Sequence, residues 1–248
     1  MTVPLFMLIV LCALTTEAII GFGSTVLTVA LGAHLMALDL VLPAYIPVNM
    51  LLSAYLLWRQ PGAIDRTLLL RRILPMVGAG LCVGLVIFRQ GLGSGLLPWL
   101  AAFVIGLAVV ELARIARGTA AQAKPIARLP AAALLMGGGI AHGLFGSGGP
   151  MIVYVASREV GDKTRFRSTL AVLWLILNAA LCINYLALGL IGQPSLRLSL
   201  FLLPVVALAA PLGDTIHTRV NAGLFRILVY VLLLVSGAAL AARSFGAP

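Results

Sequence analysis

Residues 142–150 read His-Gly-Leu-Phe-Gly-Ser-Gly-Gly-Pro, and residues 17–25 read Glu-Ala-Ile-Ile-Gly-Phe-Gly-Ser-Thr. Gly146 stands 125 residues after Gly21, and Gly148 stands 125 after Gly23. Each stretch is a glycine-rich break inside an apolar run. Unwound backbone at membrane depth is tolerated only where it lines a cavity or is buried in protein. Matching breaks in two halves of such a chain point to its binding site.

The rest of the chain agrees with a membrane setting. It is 62% hydrophobic and 10% charged, with a mean hydropathy of +1.13. That excludes a soluble domain of 248 residues. The net charge of +10 is not a nucleic-acid signal, because the bases sit at the ends of apolar segments, as the positive-inside bias requires. Cys12, Cys82 and Cys182 stand alone in apolar surroundings and read as small buried hydrophobes. The opening Met-Thr-Val-Pro has no basic leader region, so residues 3–14 read as part of the mature chain.

Apolar segments fall at about 3–14, 18–38, 40–58, 67–88, 95–113, 131–157, 168–190, 196–213 and 224–242. The long polar stretch between 114 and 130 divides them. The expected organisation is a first transmembrane repeat over 1–116, a cytoplasmic linker over 117–130 and a second repeat over 131–248. Further landmarks recur in order. Asn178 lies 129 residues after Asn49, as do Pro204 after Pro75 and Gly213 after Gly84. About four extra residues in the second copy, within 159–167, account for the change of offset.

Lysine and arginine counts orient the loops. Arg59, Arg66, Arg71 and Arg72 place 59–72 in the cytoplasm, and Arg114, Arg117, Lys124 and Arg128 place the linker there too. The loop 158–167, with Arg158, Lys163, Arg165 and Arg167, also reads as cytoplasmic. Only one apolar segment separates it from the linker. The two loops share a side if 131–157 is a re-entrant hairpin, with residues 131–142 making about 18 Å of helix and a turn at 143–149. The expected fold is therefore an all-α polytopic membrane protein. It has two inverted repeats, each a broken or re-entrant helical hairpin plus three transmembrane helices, about eight hydrophobic elements in all. Eight simple spans with one loop against the charge rule is the alternative.

The run from Gly143 to Val153 resembles the second-half signature of the TauE/SafE family of sulfite and organic-anion exporters. The stretch from Gly161 to Ala171 resembles the loop that follows it there. Residues 58–65 and Gly80–Gly84 resemble that family's first-half loop and small-residue helix. The first-half glycine element, Gly-Phe-Gly-Ser-Thr, is thinner than the family's. The resemblance covers nearly the whole chain and implies a secondary transporter, a probable exporter of a small anion such as sulfite, a sulfonate or another organic acid, in a bacterial inner membrane.

The residues of the second break suit an anion. Gly146, Gly148 and Gly149 let a ligand approach the main chain, Ser147 adds a hydroxyl, and Pro150 suits the first position of a new helix. The start of that helix directs unpaired N–H groups and a positive dipole end at the pocket. Gly21, Gly23, Ser24 and Thr25 are the first-half counterparts. Close helix crossing is the competing reading for these glycines, and the default one for Gly80 and Gly84. Asn49 and Asn178 either line the pocket or tie helices together.

Glu17 is a carboxylate in an apolar run, which must face a cavity or be neutralised. His142 stands at the equivalent place, 125 residues on. Both are candidates for proton coupling, against plain structural roles. Glu111 with Arg114 reads as a surface pair, and Asp214, His217 and Arg219 as structural residues at a membrane edge. No enzyme is expected. Phe145 stands where an intramembrane serine protease needs glycine, and His34, His142 and His217 lack zinc spacing. No cofactor, metal or nucleic acid is expected. The partners are a small anionic substrate, bound where the two hairpins meet, and the lipid bilayer. Transport runs by alternating access; a passive channel and a non-transporting scaffold are the alternatives.

Overall fold

The computed structural model of the protein describes residues 2–32, 35–90, 97–118, 126–146 and 148–246. Among them there are helices and turns but no strands. In chain order the helices are α1 (Thr2–Ile20), α2 (Ser24–Gly32), α3 (Leu38–Arg59), α4 (Arg66–Arg89), α5 (Leu97–Ala116) and α6 (Arg128–Phe145). They continue with α7 (Gly149–Glu159), α8 (Lys163–Ala187), α9 (Gln193–Arg219) and α10 (Ala222–Gly246). Among the described residues, Thr2–Ile20, Asp39–Arg59, Arg66–Arg89, Lys163–Ala187, Gln193–Arg219 and Ala222–Ala239 are long and apolar enough to cross a bilayer. Their outward faces stay greasy: Leu8, Ile183, Leu200 and Leu208 are each more than half exposed. Apolar exposure of this extent belongs to a lipid-facing surface. The protein is an all-α polytopic membrane protein. Cys12 and Cys82 lie on such exposed faces, not in the core as expected from the sequence.

Both glycine breaks turn the chain back on itself. Gly21 and Gly23 adopt φ of 97° and 100°, and Gly146 adopts 64°, backbone that a side chain resists. Beyond the first break, a Cβ on Gly32 would meet the Phe6 ring at 2.7 Å, so α2 runs back along α1. Beyond the second, a Cβ on Gly138 would meet Ile152 at 2.7 Å, which folds α7 back along α6. Each hairpin has a long arm and a short one. α1 and α6 have 19 and 18 residues, about 28 and 27 Å long, whereas α2 and α7 have 9 and 11. The turn of the second hairpin lies within the expected 143–149 but occupies only its later part. Gly143 remains helical, and α6 runs on to Phe145.

The chain forms two compact units, each drawing helices from both halves of the sequence. One comprises residues 1–65 and 167–219 and contains α1, α2, α3, most of α8 and α9. Its core is built on Phe6, Leu14, Tyr45, Leu52, Leu170 and Leu202. Gly213 of α9 lets that helix close on α1, since a Cβ there would stand 2.8 Å from the Thr15 carbonyl.

The other unit comprises residues 66–166 and 220–248, with α4, α5, α6, α7 and α10. Here α4 crosses α6 on glycines from both helices. Cβ atoms on Gly80 and Gly84 would overlap the backbone at Met136 and Ile140, and one on Gly143 would stand 2.8 Å from the Leu81 carbonyl. This is the close-crossing role read for Gly80 and Gly84 from the sequence. The pair Gly84–Ile140 has a counterpart in the first unit. Gly213 lies 129 residues after Gly84, and Thr15 lies 125 before Ile140. In α4 the missing N–H of Pro75 coincides with a π-type turn over Leu69–Ile73, where Leu74 N–H reaches the Leu69 carbonyl.

Buried charge in the second unit gathers on Glu111 of α5, which is 2% exposed. It accepts from Arg114 at 2.7 Å and from Arg158 of α7. The Tyr154 hydroxyl lies 3.4 Å from the same oxygen. Glu111 is therefore not a surface residue. It ties α7 to α5, and the spacing of three to Arg114 could not reveal Arg158 as the closer partner.

Candidate functional site

The first break exposes the C-terminal carbonyls of α1 inside the protein, where each must find a donor. Gly21 N–H returns to the Glu17 carbonyl at 2.6 Å. The other donors are side chains of α8 and α9. Arg167 Nη1 donates to Ala18 O at 2.7 Å, and Trp174 Nε1 donates to Gly21 O at 2.7 Å. His217 Nδ1 lies 2.7 Å from Ile19 O, and because a carbonyl only accepts, that nitrogen carries the proton. A Cβ on Gly21 would stand 3.0 Å from Arg167 Cα, so glycine is required there by contact as well as by φ.

Arg167 is fully buried. Its Nη2 donates to Asp214 Oδ1 at 2.7 Å and to Gln60 Oε1 at 3.1 Å. Arg59 Nε reaches the other Asp214 oxygen at 3.2 Å. The sequence reading counted Arg167 as a loop charge. It lies instead a turn inside α8, which starts at Lys163, and the loop itself is confined to residues 160–162. Asp214 and His217 are both buried; His217 reaches the end of α1 directly and Asp214 holds the arginine that does so.

A second polar cluster lies on the other side of the break. Glu17, Ser24, Asn49 and Asn178 are each no more than 4% exposed. Ser24 Oγ donates to Glu17 Oε2. Asn49 Nδ2 lies 3.1 Å from Glu17 Oε1, 3.1 Å from Ser24 Oγ and 3.3 Å from Tyr45 Oη. Asn178 Nδ2 donates to Asn49 Oδ1 at 2.7 Å. Glu17 thus places its carboxyl group at the N-terminal end of α2, whose dipole favours negative charge. No ion pair reaches it among the described residues. The two asparagines, one from each half, bond to one another and so tie α3 to α8. Thr25 is half-buried in the first turn of α2.

The second break is built differently. Gly146 caps α6 in the left-handed conformation, its N–H returning to the His142 carbonyl at 2.8 Å. Gly148 precedes α7, and Gly149 and Pro150 form its first turn. A Cβ on Gly148 would overlap the Gly138 carbonyl and stand 2.7 Å from His142 N, so this glycine is fixed by close packing. His142 is 3% exposed on α6. Ser147 lies outside the described residues.

An apolar helix pair interrupted at Gly21–Gly23, with buried polar side chains gathered at the interruption, is the build of a multi-pass membrane transport protein. The family described as sulfite exporter TauE/SafE matches residues 6–240. The chain belongs to that family. No curated protein and no solved structure matches it.

Proposed function

We propose that the protein is a secondary transporter, an exporter of a small anion such as sulfite, a sulfonate or another organic acid, working by alternating access between two inverted repeats in a bacterial inner membrane. The observation that carries this reading is the difference between its two breaks. At the start of α2 the hydroxyl of Ser24 faces a carboxyl group that the chain itself supplies, Glu17. At the start of α7 the equivalent position is His142, which brings no negative charge. First-turn N–H groups of a helix favour an anion, and a substrate meets that demand at the N-terminal end of α7, where Pro150 itself supplies no donor. Glu17 is the coupling group. Taking up a proton there loosens its hold on Ser24 and Asn49, so proton movement and the conformation of the first break are linked.

The test is transport in proteoliposomes. Glu17→Gln is expected to abolish transport driven by a proton gradient while sparing exchange of anion for anion. Unchanged coupling in that variant removes Glu17 from the mechanism. A binding screen over sulfite, thiosulfate, sulfonates and carboxylates by thermal shift then ranks the substrates.

A further inference from the structure

The Arg167 guanidinium is engaged on only part of its edge. Nη1 and Nη2 are bonded, but Nε is buried and has no hydrogen-bond partner among the described residues. A buried donor left unpaired is destabilising, and more so when it carries charge. The local charge is also unbalanced. Arg59 and Arg167 share the single carboxylate of Asp214, which leaves one positive charge in excess. Arg59 spends only its Nε on Asp214 in the ion pairs described, and its side chain is 51% exposed, so its terminal nitrogens face outward. The pair therefore has an accessible member and a buried one. Arginine presents donors in a planar fork that matches an oxyanion better than an ammonium does.

We propose that Arg167 and Arg59 form a binding site for a small oxyanion at the first break, with Asp214 as the internal carboxylate that the anion competes with. Arg59 draws the anion in, and Arg167 Nε, lying against Gly21 through the arginine stem, holds it beside the broken end of α1. The proposal rests on the anion-transport reading above and goes beyond it: this is a second anion site, in the first unit, besides the one proposed at the start of α7. None of the glycines or asparagines singled out in the sequence carries a positive charge, and this pair supplies it. Asp214 prevents two adjacent arginines from repelling one another when no anion is bound.

The experiment uses the full-length protein in detergent with sulfite as the probe, followed by calorimetric titration. Arg167→Lys keeps the charge and removes Nε, and is expected to weaken sulfite binding at least tenfold. Arg59→Gln, at an exposed position that leaves the fold intact, is expected to weaken it three- to tenfold. Asp214→Asn removes the competitor and is expected to tighten it. A purely structural role for the cluster gives the opposite sign for Asp214→Asn. Wild-type affinity in both arginine variants, or weaker binding in Asp214→Asn, overturns the proposal. The parent reading is judged separately. Sulfite flux with unchanged KM in Arg167→Lys removes this site and leaves the transporter; sulfite binding without flux in the wild type removes the transporter and leaves this site.

Discussion

The crossing of α4 and α6 allows a stability prediction with an internal control. Gly143 sits where a Cβ would stand 2.8 Å from both the Leu81 carbonyl oxygen and the Leu85 nitrogen, and ordinary contact begins at 3.4 Å. Gly143→Ala therefore forces the helices apart by about 0.6 Å, because both obstructing atoms are backbone and cannot rotate away. A gap of 0.5–1 Å forfeits roughly a quarter to a half of each dispersion contact across it. Overpacking of this kind costs about 1–3 kcal/mol, offset by up to about 1 kcal/mol from the better helix propensity of alanine. Gly78, on the same α4, has nothing within 4 Å of its Cβ position. Gly78→Ala keeps the propensity gain and meets no obstacle. Thermal unfolding of both variants in the same detergent should lower Tm for Gly143→Ala and leave it equal or higher for Gly78→Ala. A Gly143→Ala protein as stable as wild type would refute the crossing geometry. So would a Gly78→Ala protein that loses stability.

Other consequences are equally open to measurement. Trp174→Phe keeps an aromatic side chain, smaller than the indole, and removes the N–H that serves the Gly21 carbonyl, a loss of at least about 1–3 kcal/mol read by denaturant unfolding; a neutral effect would mean that this carbonyl needs no partner. Glu111→Gln removes the carboxylate that Arg114 and Arg158 both use and should destabilise more than Arg114→Gln, whose side chain is 44% exposed against 10% for Arg158. Equal losses in the two variants would show that Arg158 does not depend on Glu111. In a background lacking Cys12, Cys82 and Cys182, Met36→Cys and Gly161→Cys should react with an impermeant reagent from opposite sides of the membrane, and labelling from one side would dismiss the inverted arrangement.

The sequence disclosed the breaks because glycine is the cheapest residue at positive φ. Gly21, Gly23 and Gly146 adopt such angles. It also disclosed the matched positions of Asn49 and Asn178, which meet directly. It hid Arg167. Counting basic residues by loop cannot tell a cation at the foot of a helix from one a turn inside it, and Arg167 is the last cation before a long apolar run. A signal was available in Asp214 and His217, two ionisable groups three residues apart at the close of an apolar segment. Such groups require partners, and the end of α1, with its carbonyls unwound by Gly21, had carbonyls to offer. Glu111 was misread for a related reason. Spacing within one helix identifies near neighbours, whereas Arg158 arrives from a helix 47 residues on in the chain.

The most direct test is counterflow. Proteoliposomes holding wild-type protein are loaded with saturating unlabelled sulfite and diluted into trace labelled sulfite. The expected result is a transient accumulation of label above equilibrium, saturable in sulfite and absent from protein-free vesicles. Entry that rises linearly with concentration and never overshoots, or no entry at all for any small anion, would contradict a carrier.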